Sequence, residues 1–86
     1  MDISVELTLT PLQDDFEPPI IEFIKKLRAS GLRTLENPLS TQVYGSYDQV
    51  MDLLKNEIKT AFIDLDHVVL QMKIVKSDRS GYQPHF

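Results

Sequence analysis

Residues 3 to 10 alternate strictly, with Ile3, Val5, Leu7 and Leu9 on one face and Ser4, Glu6, Thr8 and Thr10 on the other. Successive side chains of a strand point to opposite faces, so this pattern predicts a strand buried on one side. Pro11 ends it. Asp14 and Asp15 then offer side-chain caps, and Pro18-Pro19 sits where a missing amide and a fixed φ are tolerated, in the first turn of a helix. The helix is predicted over 18–30. Its apolar residues Ile20, Ile21, Phe23, Ile24 and Leu27 recur at three- and four-residue spacing. Lys25, Lys26 and Arg28 complement the dipole at its end, and Gly31 supplies the stop.

Asn37-Pro38 is a turn signal between two short stretches, Leu32 to Glu36 and Leu39 to Tyr44, and together these predict a hairpin. Ser46-Tyr47-Asp48-Gln49 has capping-box spacing, in which the Ser hydroxyl caps the third helical amide and the Gln side chain reaches back. A second helix is expected from there to Ile63. Its stripe is Val50, Met51, Leu54, Ile58, Ala61 and Phe62, with Asp48 and Asp52 early and Lys55 and Lys59 late. Residues 66 to 76 alternate again, Val68, Leu70, Met72 and Ile74 against His67, Val69, Gln71 and Lys73. Residues 77–86 show no such period and read as a C-terminal tail after a domain of residues 1–76.

The order is β-α-β-β-α-β. Right-handed crossovers, and the need of each layer to bury one face, favour two helices on one side of a four-stranded antiparallel sheet. This is an α+β fold, the ferredoxin-like plait. In that topology the first strand lies between the third and fourth. Its polar face of Ser4, Glu6 and Thr8 is then flanked by Ser40, Gln42 and Tyr44 on one side and by Gln71 and Lys73 on the other. No helix covers that face, which suits solvent or a second subunit.

Composition narrows the function classes. A chain of 86 residues has room for one core, since a domain this size buries only roughly 60–65% of its unfolded surface. Thirteen acidic residues against nine basic give a net charge of −4, without the positive footprint that a nucleic-acid backbone needs. There is no cysteine, so no disulfide or thiolate metal site forms. The chain opens directly on its alternating strand and holds no membrane-length apolar run, so the expected location is the cytoplasm.

Catalytic chemistry finds little to work with. The two histidines, His67 at a strand start and His85 in the tail, have no partner at ligand spacing. Asp64 and Asp66 flank Leu65 in a helix-to-strand turn, where Asp serves mostly in local hydrogen bonds. Gly31, Gly45 and Gly81 are too scattered for a phosphate loop. An RNA-recognition domain shares this topology but needs exposed aromatics on its central strands, where the third strand offers only Tyr44. An acylphosphatase needs an arginine after the first strand, and the stretch from Pro11 to Pro19 has none. The expectation is a binding module and not an enzyme.

The opening Ile3-Ser4-Val5-Glu6-Leu7-Thr8-Leu9-Thr10-Pro11-Leu12, the segment Asn37-Pro38-Leu39-Ser40-Thr41-Gln42-Val43-Tyr44-Gly45 and the helix closing in Ala29-Ser30-Gly31-Leu32 carry a resemblance. In their order and spacing they resemble the YkoF-like thiamine-binding family over residues 2 to 76, with no counterpart for the tail. The resemblance implies a ferredoxin-like domain that binds thiamine or its hydroxymethylpyrimidine part without catalysis, paired through its sheets into dimers and tetramers. The family's Ser/Thr-rich segment falls on Ser40 and Thr41, its glycine before the second helix on Gly45, and its first-strand Glu on Glu6.

The candidate ligand-binding residues are Glu6, Ser40, Thr41, Gln42 and Tyr44. Thiamine presents a cationic thiazolium and a flat aminopyrimidine. Glu6 would meet the charge or the pyrimidine edge, Ser40, Thr41 and Gln42 would hydrogen-bond it, and Tyr44 would stack, a contact worth roughly 0.5–2 kcal/mol for a cation. Structural roles compete for the same residues: Glu6 paired with Lys73, Thr41 facing the core, Tyr44 and Tyr47 packed at a subunit contact. The alternative function is a homo-oligomeric interaction module without ligand. No metal site is expected, and no cofactor beyond thiamine as the ligand.

Overall fold

The computed structural model describes residues 1–86 as β1 (Asp2–Pro11), α1 (Glu17–Ala29), β2 (Arg33–Glu36), β3 (Thr41–Ser46), α2 (Tyr47–Asp64) and β4 (Val68–Val75). The sheet order is β2-β3-β1-β4 and every neighbouring pair is antiparallel. This is the ferredoxin-like α+β plait that the periodicity predicts, with β1 between β3 and β4.

Register sets the core. Val5 lies opposite Val43 and Ile74, and Leu7 opposite Thr41 and Met72, so these residues share the helix-facing side. Ile3, Val5 and Leu7 are at most 2% exposed. Phe23 and Leu27 of α1 and Val50 and Leu54 of α2 close over them. Met72 and Ile74 point to the same side yet stay 43% and 45% exposed. The cause is the edge position of β4: the helices pack mainly over β1, β2 and β3, and of β4 Val68 and Leu70 at its start pack against the core.

The helix ends refine the expected caps. Neither Asp14 nor Asp15 caps α1; its N-cap is Phe16, in the αR region, with no side-chain cap bond. An N-cap side chain reaches the first-turn amides from an extended backbone, and the loop here has already turned helical. Gly31, at φ +83°, ends the helix as expected, in a conformation that favours glycine. Ser46 caps α2 by accepting the Gln49 amide at 3.3 Å. Its hydroxyl also donates to Gln49 Oε1 at 3.1 Å, so the glutamine side chain takes the hydroxyl in place of the Ser46 amide of a full capping box.

Gly45 faces the core opposite Ile3. A Cβ there would sit 3.2 Å from Val50 Cγ2 and 3.4 Å from a Leu32 methyl, so the missing side chain lets α2 approach the sheet. Gly45→Ala is expected to cost about 1 kcal/mol and Gly45→Val about 2–3 kcal/mol through overpacking, measured as shifts in the urea midpoint at constant slope.

Arg28 in the last turn of α1 forms a two-pronged ion pair with Glu36 at the end of β2, its second bond 2.6 Å long. The hydrogen bonds and charge of Arg28 hold the Glu36 carboxyl below the usual carboxylate range. A depressed folded value means that the pair contributes above the unfolded carboxylate pKa and is lost as pH falls through the lowered Glu36 value. A carbon-13 titration of the Glu36 carboxyl should show that lowered midpoint, and Arg28→Gln should return it to the ordinary range.

Candidate functional site

Three strands meet on the uncovered side of the sheet. Pairing places Glu6 of β1 opposite Gln42 of β3 and Lys73 of β4, and Ser4 opposite Tyr44 and Val75. Leu35 and Arg33 of β2 extend the same face, opposite Gln42 and Tyr44. The hairpin turn is built by Asn37, whose side-chain oxygen accepts the amides of Leu39 at 2.8 Å and Ser40 at 3.0 Å. That Asx turn delivers Ser40 to the rim of β1.

A polar chain results. Gln42 Nε2 donates to Ser40 Oγ at 2.7 Å, and Ser40 Oγ donates to Glu6 Oε2 at 3.1 Å. The other carboxylate oxygen of Glu6 lies 4.0 Å from Lys73 Nζ, at the outer limit of an ion pair between two well-exposed side chains. Such a pair holds little energy, roughly 0–1 kcal/mol, so Lys73 can swing away from Glu6 at small expense. A shallow depression of about 300 Å³ opens beside Glu6, Thr8, Gln71 and Lys73. Its lining holds a carboxylate, a hydroxyl and a side-chain amide, groups able to accept hydrogen bonds from a cationic or amine-bearing ligand.

Of the five candidate residues, Glu6, Ser40 and Gln42 are brought into direct contact, and Tyr44 stands two residues along the same face, half-buried. Thr41 is not brought to them. It lies opposite Leu7, is only 6% exposed and faces the helices, because its neighbours Ser40 and Gln42 take the other side of the pleat. It borders a separate cavity of about 150 Å³ beneath the hairpin turn, with Leu39, Ile20 and Phe23. Thr8 and Gln71 were not among the candidates, though they border the depression beside Glu6. Alternation alone put them on this face; only cross-strand register puts them next to Glu6.

The tail closes the far end of the face. Ser4, 7% exposed, donates to the Ser77 carbonyl at 2.7 Å and accepts the Arg79 amide at 2.8 Å. Asp78 is held below the usual carboxylate range by hydrogen bonds from Ser80 and by the charge of Arg33 across on β2. The tail thus folds back over the Ser4 end and leaves the Glu6 end open. Ser4→Ala strands the Ser77 carbonyl and the Arg79 amide. It is expected to speed Arg79 amide exchange and to cost about 1–3 kcal/mol where the tail is docked, read by native-state hydrogen exchange.

His67 and the pair Asp64 and Asp66 lie at the α2–β4 turn, where the His67 carbonyl accepts the Leu12 amide at 2.9 Å. No three His, Asp or Glu side chains converge as a metal set. No helix is long and apolar enough to cross a membrane.

Fold and face together define a small ferredoxin-like domain with an open polar sheet. The family model described as "Thiamine-binding protein" matches residues 5–85, and the chain belongs to that family. The match includes most of the tail, for which the motif resemblance had no counterpart. No curated protein matches the chain. Among solved structures, a Thermotoga maritima protein provisionally assigned to thiamine biosynthesis or salvage is similar at 23% identity and TM-score 0.81, over 90% of this chain and 85% of that one. A hypothetical protein of Methanocaldococcus jannascii has 22% identity and TM-score 0.76, over 90% and 81%. A DUF77 domain from Bacillus cereus has 18% identity and TM-score 0.74, over 96% and 83%. At these identities the structures share the fold.

Proposed function

We propose that this chain binds thiamine or its hydroxymethylpyrimidine part without catalysis, as a cytoplasmic homo-oligomeric dimer or tetramer, on the open sheet face. The observation that carries this reading is the Gln42–Ser40–Glu6 chain on an uncovered face in a member of the thiamine-binding family. Glu6 meets the positive charge or the aminopyrimidine edge, Ser40 and Gln42 fix orientation, and Tyr44 supplies a flat neighbour for stacking. Thr41 acts here through the core and the hairpin, not by touching the ligand.

Isothermal titration with thiamine and with hydroxymethylpyrimidine tests it. Saturable heat with either ligand is expected, and no heat and no rise in melting temperature at millimolar ligand overturns it. A second reading, an interaction module without ligand, is favoured by Leu35 and Val69, 41% and 46% exposed on the same open face. Absence of ligand heat together with light scattering that shows a dimer or tetramer favours it over the first reading, and a monomer at micromolar concentration overturns it.

A further inference from the structure

One cross-strand row closes the open face at its far end. Val75 of β4, Ser4 of β1, Tyr44 of β3 and Arg33 of β2 stand opposite one another in that order. The chain leaves β4 at Val75 and turns back over this row. Ser4 Oγ donates to the Ser77 carbonyl at 2.7 Å and accepts the Arg79 amide at 2.8 Å, which fixes residues 77–79 above β1. Neighbouring strands lie about 4.8 Å apart, so the backbone of Arg33, two strands over, is about 10 Å from that of Ser4. The Asp78 carboxyl, between the two tail contacts, feels the Arg33 charge, so the tail carries it toward β2 across the Tyr44 position.

The hold on this tail is slight. Its other hydrogen bonds are local, from Ser77 to Val75, Ser80 to Asp78 and Tyr82 to Arg79. Its large side chains Tyr82 and Phe86 are 63% and 95% exposed, so no apolar packing pins it down. Docking also closes Ser77 Oγ off from solvent without a hydrogen-bond partner, a group that native structures nearly always pair. Segments with so few buried contacts open at small free energy.

We propose that residues 77–79 are a strap over the Tyr44 end of the sheet face, latched by Ser4, that lifts when a ligand stacks on Tyr44. This rests on the sheet-face reading and adds regulation to it. Docked tail and stacked ligand compete for one surface, so each lowers the apparent affinity of the other. A tail docked in roughly nine molecules of ten weakens a competing ligand about tenfold. Ser4 is then a positioning residue, which sets ligand affinity through the tail without touching the ligand.

Thiamine titrated into the full chain tests this by calorimetry and by exchange of the Arg79 amide with water, read by NMR. Ser4→Ala removes the latch from the sheet side. Arg79→Pro removes the amide donor from the tail side, at an exposed residue, and keeps the test open if Ser4→Ala fails to fold. Each variant is expected to bind thiamine about five- to tenfold more tightly than the parent. In the parent, saturating thiamine is expected to speed Arg79 exchange about tenfold. The strap is overturned if the parent binds thiamine and either folded variant binds it equally or more weakly. It is overturned too if thiamine slows Arg79 exchange, which would make the tail a wall of the site and not a competitor. Both of those results leave the sheet-face reading intact. Absence of binding in the parent and both variants overturns the sheet-face reading, and the strap with it.

Discussion

Leu27→Ala is expected to remove about 2–5 kcal/mol of stability, a core truncation in the middle of the α1 packing face. Leu27 is fully buried, in the one cluster shared by β1, α1, α2 and β3. Deleting three carbons there loses their transfer free energy and leaves a cavity that the surrounding strands close only in part. Domains of this length hold a total stability of roughly 4–13 kcal/mol, at about 0.05–0.15 kcal/mol per residue, so the change takes a large share. Ile21 on the same helix is the internal control. It is 47% exposed, and Ile21→Ala should cost less than about 1 kcal/mol, read from the urea midpoint at constant slope. A Leu27→Ala change no larger than that of Ile21→Ala would mean that α1 does not pack as described.

The contrast between those two residues marks the limit of what periodicity can show. The spacing of Ile20, Ile21, Phe23, Ile24 and Leu27 identifies the helix and its apolar stripe, but the stripe is wider than the surface it covers, and only Phe23 and Leu27 are buried. The same holds in β4. Alternation correctly puts Met72 and Ile74 on the helix side, yet their exposure depends on β4 being an edge whose start, at Val68 and Leu70, packs against the core, a tertiary fact. Strand order followed from chain connectivity, because crossover handedness leaves few ways to arrange β-α-β-β-α-β.

For the site, the face was legible and the partners were not. Period two sent Glu6, Gln42 and Tyr44 to the open face, but the contact between Ser40 and Glu6 depends on an Asx turn at Asn37 and on register across 34 residues. Thr41 shows the converse. Motif resemblance groups it with Ser40, whereas the pleat sends adjacent side chains to opposite faces.

Glu6→Gln is expected to weaken thiamine binding about tenfold while leaving assembly unchanged. Glutamine keeps the size of the side chain and one oxygen acceptor for the Ser40 hydroxyl, so it removes the negative charge and little else. A hydrogen bond to a charged group contributes about 1.5–3 kcal/mol, and each 1.4 kcal/mol is a factor of ten in affinity. The Glu6 side chain is 47% exposed, so solvent and salt screen part of that charge and the lower end applies. Lys73 supplies the opposite test. It competes with a cationic ligand for the same carboxylate across 4.0 Å, so Lys73→Ala should tighten thiamine binding by a small factor, most visibly at low ionic strength. Titration calorimetry of both variants at two salt concentrations measures the pair of effects, and light scattering follows assembly. An unchanged affinity in Glu6→Gln sinks the sheet-face site. Loss of assembly in that variant would instead place Glu6 at a subunit contact. If both variants lose affinity alike, Lys73 holds the ligand and the ligand is not bound as a cation.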